Sequence, residues 1–239
     1  MSRFLFFDER GQGLAEYGLL LTAVALTAVG ILSLLGVQVG DIMCQAAEGL
    51  GGEDICDNVL FSDGFDNGKD DWHSPYGGRD RWEVTEGDDP ELCSRGGGDM
   101  LLTNEGSGTD YVVETDANLD SGNGYGIFFR ATENERGRVD GYTFQYDPGY
   151  RGGQFIMRKW VNGHELWPPF AAAPAPQGYQ WHDVDRHVEI DVSGDTFTAT
   201  IDGEQVLTGQ DSSYPEGGAG LRFWSRSKVC FDDFTVRSR

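Results

Sequence analysis

Glu189 and Asp191, in the stretch Glu189-Ile190-Asp191-Val192, stand two positions apart. On a β-strand that spacing holds both carboxylates on one face, because successive side chains point to opposite sides. Paired carboxyls can cleave glycosidic bonds, and a retaining hydrolase needs its nucleophile and its proton donor about 5 Å apart. The acidic run Asp63-Gly64-Phe65-Asp66-Asn67-Gly68-Lys69-Asp70-Asp71 suggests a different chemistry. A calcium ion takes about 6 to 8 hard oxygen ligands, so Asp63 and Asp66 are candidate ligands for a structural Ca²⁺. The run does not follow the EF-hand template, since Phe65 stands at its third position and Ser74 at its twelfth.

A third chemistry rests on aromatic rings, on which sugars stack while nearby polar groups hold the hydroxyls. Of six tryptophans, Trp72, Trp82, Trp160, Trp167, Trp181 and Trp224, most are expected in the core. Trp160 and Trp167 fall in the polar, proline-rich segment Lys159-Trp160-Val161-Asn162-Gly163-His164-Glu165-Leu166-Trp167-Pro168-Pro169-Phe170, which reads as a surface loop. With Tyr150, Arg151 and Arg158 they form the expected ligand patch. His73, His164, His182 and His187 have no nucleophile in a partner pattern, and Gly96-Gly97-Gly98 fits no phosphate-binding template and reads as a turn.

The elements that would position these groups are short strands with frequent glycine turns, the pattern of an all-β sandwich. Strands are expected over 110–114, 124–131, 141–146, 154–161, 186–192, 196–201, 220–224 and 229–236. Asp202-Gly203 joins the strand Thr196–Ile201 to Gln205-Val206-Leu207, and such a dipeptide accepts the positive φ of a tight hairpin.

The chain has 239 residues and a formal net charge of −22. That length suits one sandwich after an N-terminal segment. The acidity disfavours nucleic-acid binding, because phosphates would be repelled. Cys44, Cys56, Cys93 and Cys230 are even in number, and all follow the long apolar run. Disulfides are therefore expected in an exported domain, with Cys44–Cys56 as a local loop and Cys93–Cys230 tying an early strand to the last; three connectivities exist in principle. No Cys-x-x-Cys spacing supports zinc.

From Tyr17 to Gly40 no charged residue occurs, a run longer than the roughly 20 residues needed to span a bilayer. The charged leader stops at Arg10-Gly11, and Glu16 lies just inside the run, where burying a carboxylate in lipid is costly. The segment Gly11-Gln12-Gly13-Leu14-Ala15-Glu16-Tyr17 resembles the class III signal of Flp-type (Tad, type IVb) pilins. There a prepilin peptidase cuts after a glycine, and a Glu-Tyr pair occupies the fifth and sixth mature positions. The resemblance implies cleavage between Gly11 and Gln12, with Glu16 and Tyr17 serving filament assembly and Glu16 neutralising a neighbouring subunit's new α-amino group. It also implies other pilin subunits as partners, and residence in the cytoplasmic membrane as a single-pass precursor before display on the cell surface.

The remainder resembles the concanavalin A-like jelly roll of the laminin-G, glucanase and keto-disaccharide hydrolase-like group. The matching stretches run from Gly124-Tyr125-Gly126-Ile127-Phe128-Phe129-Arg130-Ala131 to Phe231-Asp232-Asp233-Phe234-Thr235-Val236. In such jelly rolls the first and last strands are neighbours, which implies that Asp232 and Asp233 join Asp63 and Asp66 around the Ca²⁺. The Glu189–Asp191 stretch resembles the Glu-x-Asp-x-(x)-Glu strand of laminarinase-type glycosidases, although Ser193-Gly194 stands where the last Glu belongs.

The expected organisation is a prepilin leader (1–11), a pilin-type transmembrane helix (12–40), a linker (41–58) and a mainly β concanavalin A-like sandwich (59–239). The expected function is that of a minor or adhesive pilin-like subunit whose lectin-like head binds glycans, with no enzymatic activity. The alternatives are an anchored or secreted glycan hydrolase, with Glu189 and Asp191 catalytic, and a coat subunit that binds nothing.

Overall fold

A computed structural model describes residues 59–75 and 80–239. The expected leader, helix and linker, with Gly11, Gln12, Glu16, Tyr17, Cys44 and Cys56, lie outside the described residues. Among the described residues no helix is long and apolar enough to cross a membrane.

The strands in chain order are β1 (Val59–Asp63), β2 (Trp72–His73), β3 (Trp82–Val84), β4 (Leu92–Ser94), β5 (Asp99–Thr103) and β6 (Tyr111–Ser121). Next come β7 (Tyr125–Glu133), β8 (Val139–Asp147), β9 (Gln154–Val161), β10 (His164–Glu165) and β11 (Ala171–Pro174). The last are β12 (Asp185–Ser193), β13 (Thr196–Ile201), β14 (Glu204–Gln210), β15 (Gly218–Phe223) and β16 (Lys228–Ser238). They form two antiparallel sheets, which we call front and back. The back sheet has the order β14-β13-β12-β6-β16-β4-β3, with β1 also on β16; the front sheet runs β10-β9-β8-β7-β15-β5-β2, with β11 also on β9.

Alternation decides which side chains enter the space between the sheets. Along β6 the residues Tyr111, Val113, Ala117 and Leu119 are buried, and along β12 so are Val188, Ile190 and Val192. They meet Tyr125, Ile127 and Phe129 of β7, Tyr142, Phe144 and Tyr146 of β8, and Phe155 and Met157 of β9 in one core. The core is largely aromatic: Tyr125 stacks on Tyr146 at 5.0 Å, and Phe129 packs on Phe197 at 4.9 Å. Arg130, only 2% exposed, is a buried charge whose guanidinium donates to the carbonyls of Tyr214, Thr109 and Gly194 at 2.9, 2.8 and 2.6 Å. Those bonds, with Asp110 at 3.7 Å, offset much of the cost of desolvating the cation, while its Nε has no hydrogen-bond partner among the described residues.

The expected hairpin is present. Asp202 and Gly203 have φ of 53° and 79°, and Ile201 faces Glu204 across the turn. The expected strand at 110–114 is longer, because the alternation continues through Thr115, Ala117 and Leu119 while Asp116, Asn118 and Asp120 take the wet face. A disulfide joins Cys93 of β4 to Cys230 of β16, which are direct register partners. Strand β16 bulges between Asp232 and Thr235. Its edge is thereby shared between β4, which pairs before the bulge, and β1, which pairs after it.

Candidate functional site

The outer face of the front sheet carries polar residues that are not exposed. On β8 the aromatic residues Tyr142, Phe144 and Tyr146 point inward, so Thr143 and Gln145 point outward; yet Thr143 is 0% and Gln145 2% exposed. On β9 Arg158 and Trp160 share that outer face, at 6% and 4%. A second, smaller apolar cluster, Leu102, Phe128, Ala131, Val139 and Trp160, lies there as well. A sheet face of this kind, with buried polar groups beside aromatic rings, has the composition of a ligand floor.

The polar groups form one network. Trp160 Nε1 donates to Thr143 Oγ1 at 3.1 Å, and Gln145 Nε2 donates to Glu165 Oε1 at 2.7 Å. Arg158 Nε donates to Gln145 Oε1 at 3.1 Å and lies 3.6 Å from Glu165 Oε2. Arg222 of β15 reaches the same Glu165 carboxylate, and its guanidinium sits over the rings of Trp160 and Trp224 at 4.6 and 4.8 Å. Arg222 Nε is buried and has no hydrogen-bond partner among the described residues. One carboxylate thus orients two guanidinium groups, an arrangement suited to holding adjacent hydroxyls of a sugar.

An aromatic wall rises beside this floor. Trp167 is 65% exposed and packs edge-on against Tyr150 at 5.7 Å. Arg158 lies over both rings, 5.2 Å from Tyr150 and 5.0 Å from Trp167, and Arg151 lies over Tyr150 at 5.5 Å. Asp147, at the end of β8, is pushed up to about 6 by burial, with the negative charge of Glu165 adding to the rise and Arg158 opposing it.

All five residues of the expected ligand patch, Tyr150, Arg151, Arg158, Trp160 and Trp167, therefore lie on one side of the sandwich. Trp160 lies where the strand expected over 154–161 puts it, near the end of β9, and not in the surface loop expected over 159–170; it is buried, with its ring under Arg222. Thr143, Gln145, Asp147, Glu165, Arg222 and Trp224 were not singled out from the sequence. The strict alternation in Tyr142-Thr143-Phe144-Gln145-Tyr146 and in Leu221-Arg222-Phe223-Trp224 is the signal that places them on one outer face.

The other expected sites lie elsewhere. Glu189 and Asp191 project from the outer face of the back sheet, since Val188, Ile190 and Val192 face the core. Glu189 stands directly opposite Glu114 of β6, and burial, followed by repulsion from Glu114, raises its carboxyl above the usual range. Asp191 accepts from Arg239 Nη1 at 3.1 Å, and Glu114 pairs with Arg237. The two acids are thus part of a charged ladder on the side away from the aromatic wall.

The pairing of β1 with β16 does make the first and last described strands neighbours, with Asp63 opposite Phe234. The Asp63 carboxylate, however, accepts from Phe65 N and from Trp72 Nε1, both at 2.7 Å, so both oxygens brace the core edge. Asp232 accepts from the backbone of Asp233 at 2.8 Å. Among the described residues Asp63, Asp66, Asp232 and Asp233 do not converge as a metal-ligand set; the group that does, Glu91 with Cys93 and Cys230, has both sulfurs tied in the disulfide.

The chain is similar to several known proteins in sequence or in fold. A stretch of 146 residues is 27% identical to the levanase of Bacillus subtilis (strain 168), covering 60% of this chain and 20% of that enzyme, so the chain spans about one fifth of the relative's length. Among solved structures, the carbohydrate binding module CBM66 from Bacillus subtilis has a TM-score of 0.56 at 24% identity, covering 70% of this chain and 96% of that one. The β-glucanase of Bacillus licheniformis has a TM-score of 0.54 at 10% identity, covering 77% of this chain and 100% of that one. These likenesses establish a jelly-roll sandwich of the lectin and glucanase kind. With residues 58–237 matched by its family model, the chain belongs to the 3-keto-alpha-glucoside-1,2-lyase-like domain family.

Proposed function

We propose that the sandwich is a glycan-binding head that takes a sugar unit on the outer face of its front sheet. The observation that carries this reading is the floor of buried polar groups, Thr143, Gln145 and Arg158, beside the exposed ring of Trp167. Trp167 and Tyr150 supply a stacking surface, and Arg158 and Arg222, fixed by Glu165, supply hydrogen-bond donors of set direction. A levanase among the relatives and a carbohydrate binding module among the structural neighbours support the same reading.

Levan is accordingly the first probe. Titration calorimetry of the 239-residue chain against levan fragments should register binding that Trp167→Ala weakens by about tenfold or more; equal affinity of the variant and the parent would sink the proposal. Asp147, with a carboxyl near 6 beside Glu165, favours a second reading in which the same face hydrolyses a glycosidic bond. Release of new reducing ends from a bound glycan, lost in Asp147→Asn, would establish that reading over simple binding.

The same proposal has the head displayed by a pilin-type N-terminus, as the Gly11-Gln12 junction, Glu16, Tyr17 and the apolar run to Gly40 suggest. Mass spectrometry of the protein recovered from the cell surface should give Gln12 as the first residue. An intact Met1 would remove the pilin part and leave an anchored sugar-binding domain.

A further inference from the structure

Four of the chain's 18 Lys and Arg residues, in a protein with 40 Asp and Glu, gather around one depression at the end of the sandwich. It measures about 680 Å³ and is lined by Arg81, Glu83, Ser94, Arg95, Arg226 and Lys228, with the backbone of Gly96 and Gly97 between them. None of these residues belongs to the floor or the aromatic wall described above. We propose that this depression is a second binding site, specific for a saccharide bearing one anionic group, a carboxylate or a sulfate ester.

The charge balance inside the depression is the first support. Glu83 is answered by Arg95, whose Nε donates to it at 2.8 Å. Arg81, Arg226 and Lys228 have no carboxylate partner among the described residues; Arg81 Nη1 instead donates to the Gly96 carbonyl at 3.2 Å. Three cations thus face one opening in a chain whose net charge is −22. An oxyanion held in this opening would gain charge-assisted hydrogen bonds from them.

The local backbone is shaped to keep Arg81 at this place. The three glycines read as a turn, Gly96, Gly97 and Gly98, all have positive φ, of 80°, 93° and 83°. A Cβ on Gly97 would fall 1.3 Å from Arg81 Nη1, so a side chain there would push the guanidinium off the turn. The turn is itself held by Gly97 N donating to Ser225 O at 2.7 Å, which links it to the loop carrying Arg226. Asp99 fixes the root of Arg81, accepting from its backbone N at 2.9 Å.

The volume lies within the range of about 300 to 1,000 Å³ that small-ligand sites occupy. A long polyanion is excluded, because the acidic surface elsewhere would repel it beyond the few charges met here. A single uronate or sulfated sugar unit fits both the size and the limited positive field.

The test is calorimetric titration of the full chain, kept in a mild nonionic detergent, with four probes: galacturonate, glucose 6-sulfate, glucose and inorganic sulfate. The proposal expects galacturonate or glucose 6-sulfate to bind and glucose not to bind, and the two charged sugars separate the carboxylate from the sulfate source. In Arg226→Ala/Lys228→Ala the affinity should fall at least about tenfold, while Arg226→Lys/Lys228→Arg should keep most of it. Both residues are exposed, so neither pair should disturb folding. Unchanged affinity in the alanine pair, or inorganic sulfate binding as tightly as the charged sugars, would overturn the proposal. So would loss of the acidic sugar in Trp167→Ala but not in the alanine pair, which would place it on the aromatic wall instead; loss of levan binding in Trp167→Ala tests the front-sheet site alone.

Discussion

The guanidinium of Arg158 lies 5.0 Å from the ring centre of Trp167, nine positions on in the chain, and holds an indole that is otherwise 65% exposed. A cation over an exposed ring is worth about 0.5 to 1 kcal/mol, so Trp167→Ala should shift thermal stability little. If the ring is the stacking surface for a sugar, its loss should weaken glycan binding by about tenfold or more. A melting scan and a titration on the same variant separate these outcomes, and a large fall in stability would mean that the ring serves the fold.

Glu165 accepts from Gln145 and Arg222 and lies 3.6 Å from Arg158 Nε, and the two arginine side chains are only 7% and 11% exposed. Glu165→Gln removes the negative charge and turns an amide N–H₂ toward two cations. Stripping a buried pair of its counter-ion costs about 3 to 5 kcal/mol, and the partial exposure of Glu165 itself, 31%, reduces this to about 2 kcal/mol. The midpoint of urea unfolding should fall with its slope unchanged. Adding Arg222→Met to Glu165→Gln should recover part of the loss, since one of the stranded charges is then gone; no recovery would mean that Arg158 carries the whole effect.

Burial raises the Asp147 carboxyl from its ordinary value of 3.8 to about 6. A carboxyl with a raised folded pKa stabilises the native state fully below the unfolded value, and that contribution disappears as pH rises through the folded value. Relative to Asp147→Asn, the parent should therefore lose stability between pH 4 and about pH 6 and remain lower at pH 8. Urea midpoints of both proteins across that range provide the check, and parallel pH curves would remove Asp147 as the titrating group.

Much of the sandwich was legible because its long strands alternate cleanly. Thr196-Phe197-Thr198-Ala199-Thr200-Ile201 announces a wet and a dry face, and Asp202-Gly203 announces the turn after it. The strands β2, β3, β4 and β10 are two or three residues long and exist because a neighbour pairs with them, which local pattern does not reveal. The site was legible only in its aromatic half. Tyr150, Arg158 and Trp167 stood out by residue type, whereas Thr143 and Gln145 read as ordinary solvent-facing strand residues. Their burial comes from Arg158, Trp160 and Glu165, contributed by β9 and β10. Two sequence signals compete at Trp160, the strand pattern of 154–161 and the loop-like Asn162-Gly163 and Pro168-Pro169 beside it, and the strand prevails at the end of β9.

Cys93 and Cys230 close a loop with a sequence separation of 137. In the chain-entropy account, a cross-link over so long a loop removes freedom from the unfolded chain worth about 5 kcal/mol, and measured losses on removing native disulfides run from about 2 to 5 kcal/mol. The link also fixes the place where the edge of β16 passes from β4 to β1. Without it, the short strands β3 and β4 depend on five register pairs among β3, β4 and β16. Cys93→Ser/Cys230→Ser should therefore lower global stability by about 2 kcal/mol or more, with amide exchange rising first in β3 and β4 and last in β6. Since Arg81 and Arg95 flank β3 and β4, such loosening should also weaken any ligand held beside Arg226. Binding at the aromatic wall, which rests on β8, β9 and β15, should persist under conditions where the variant remains folded.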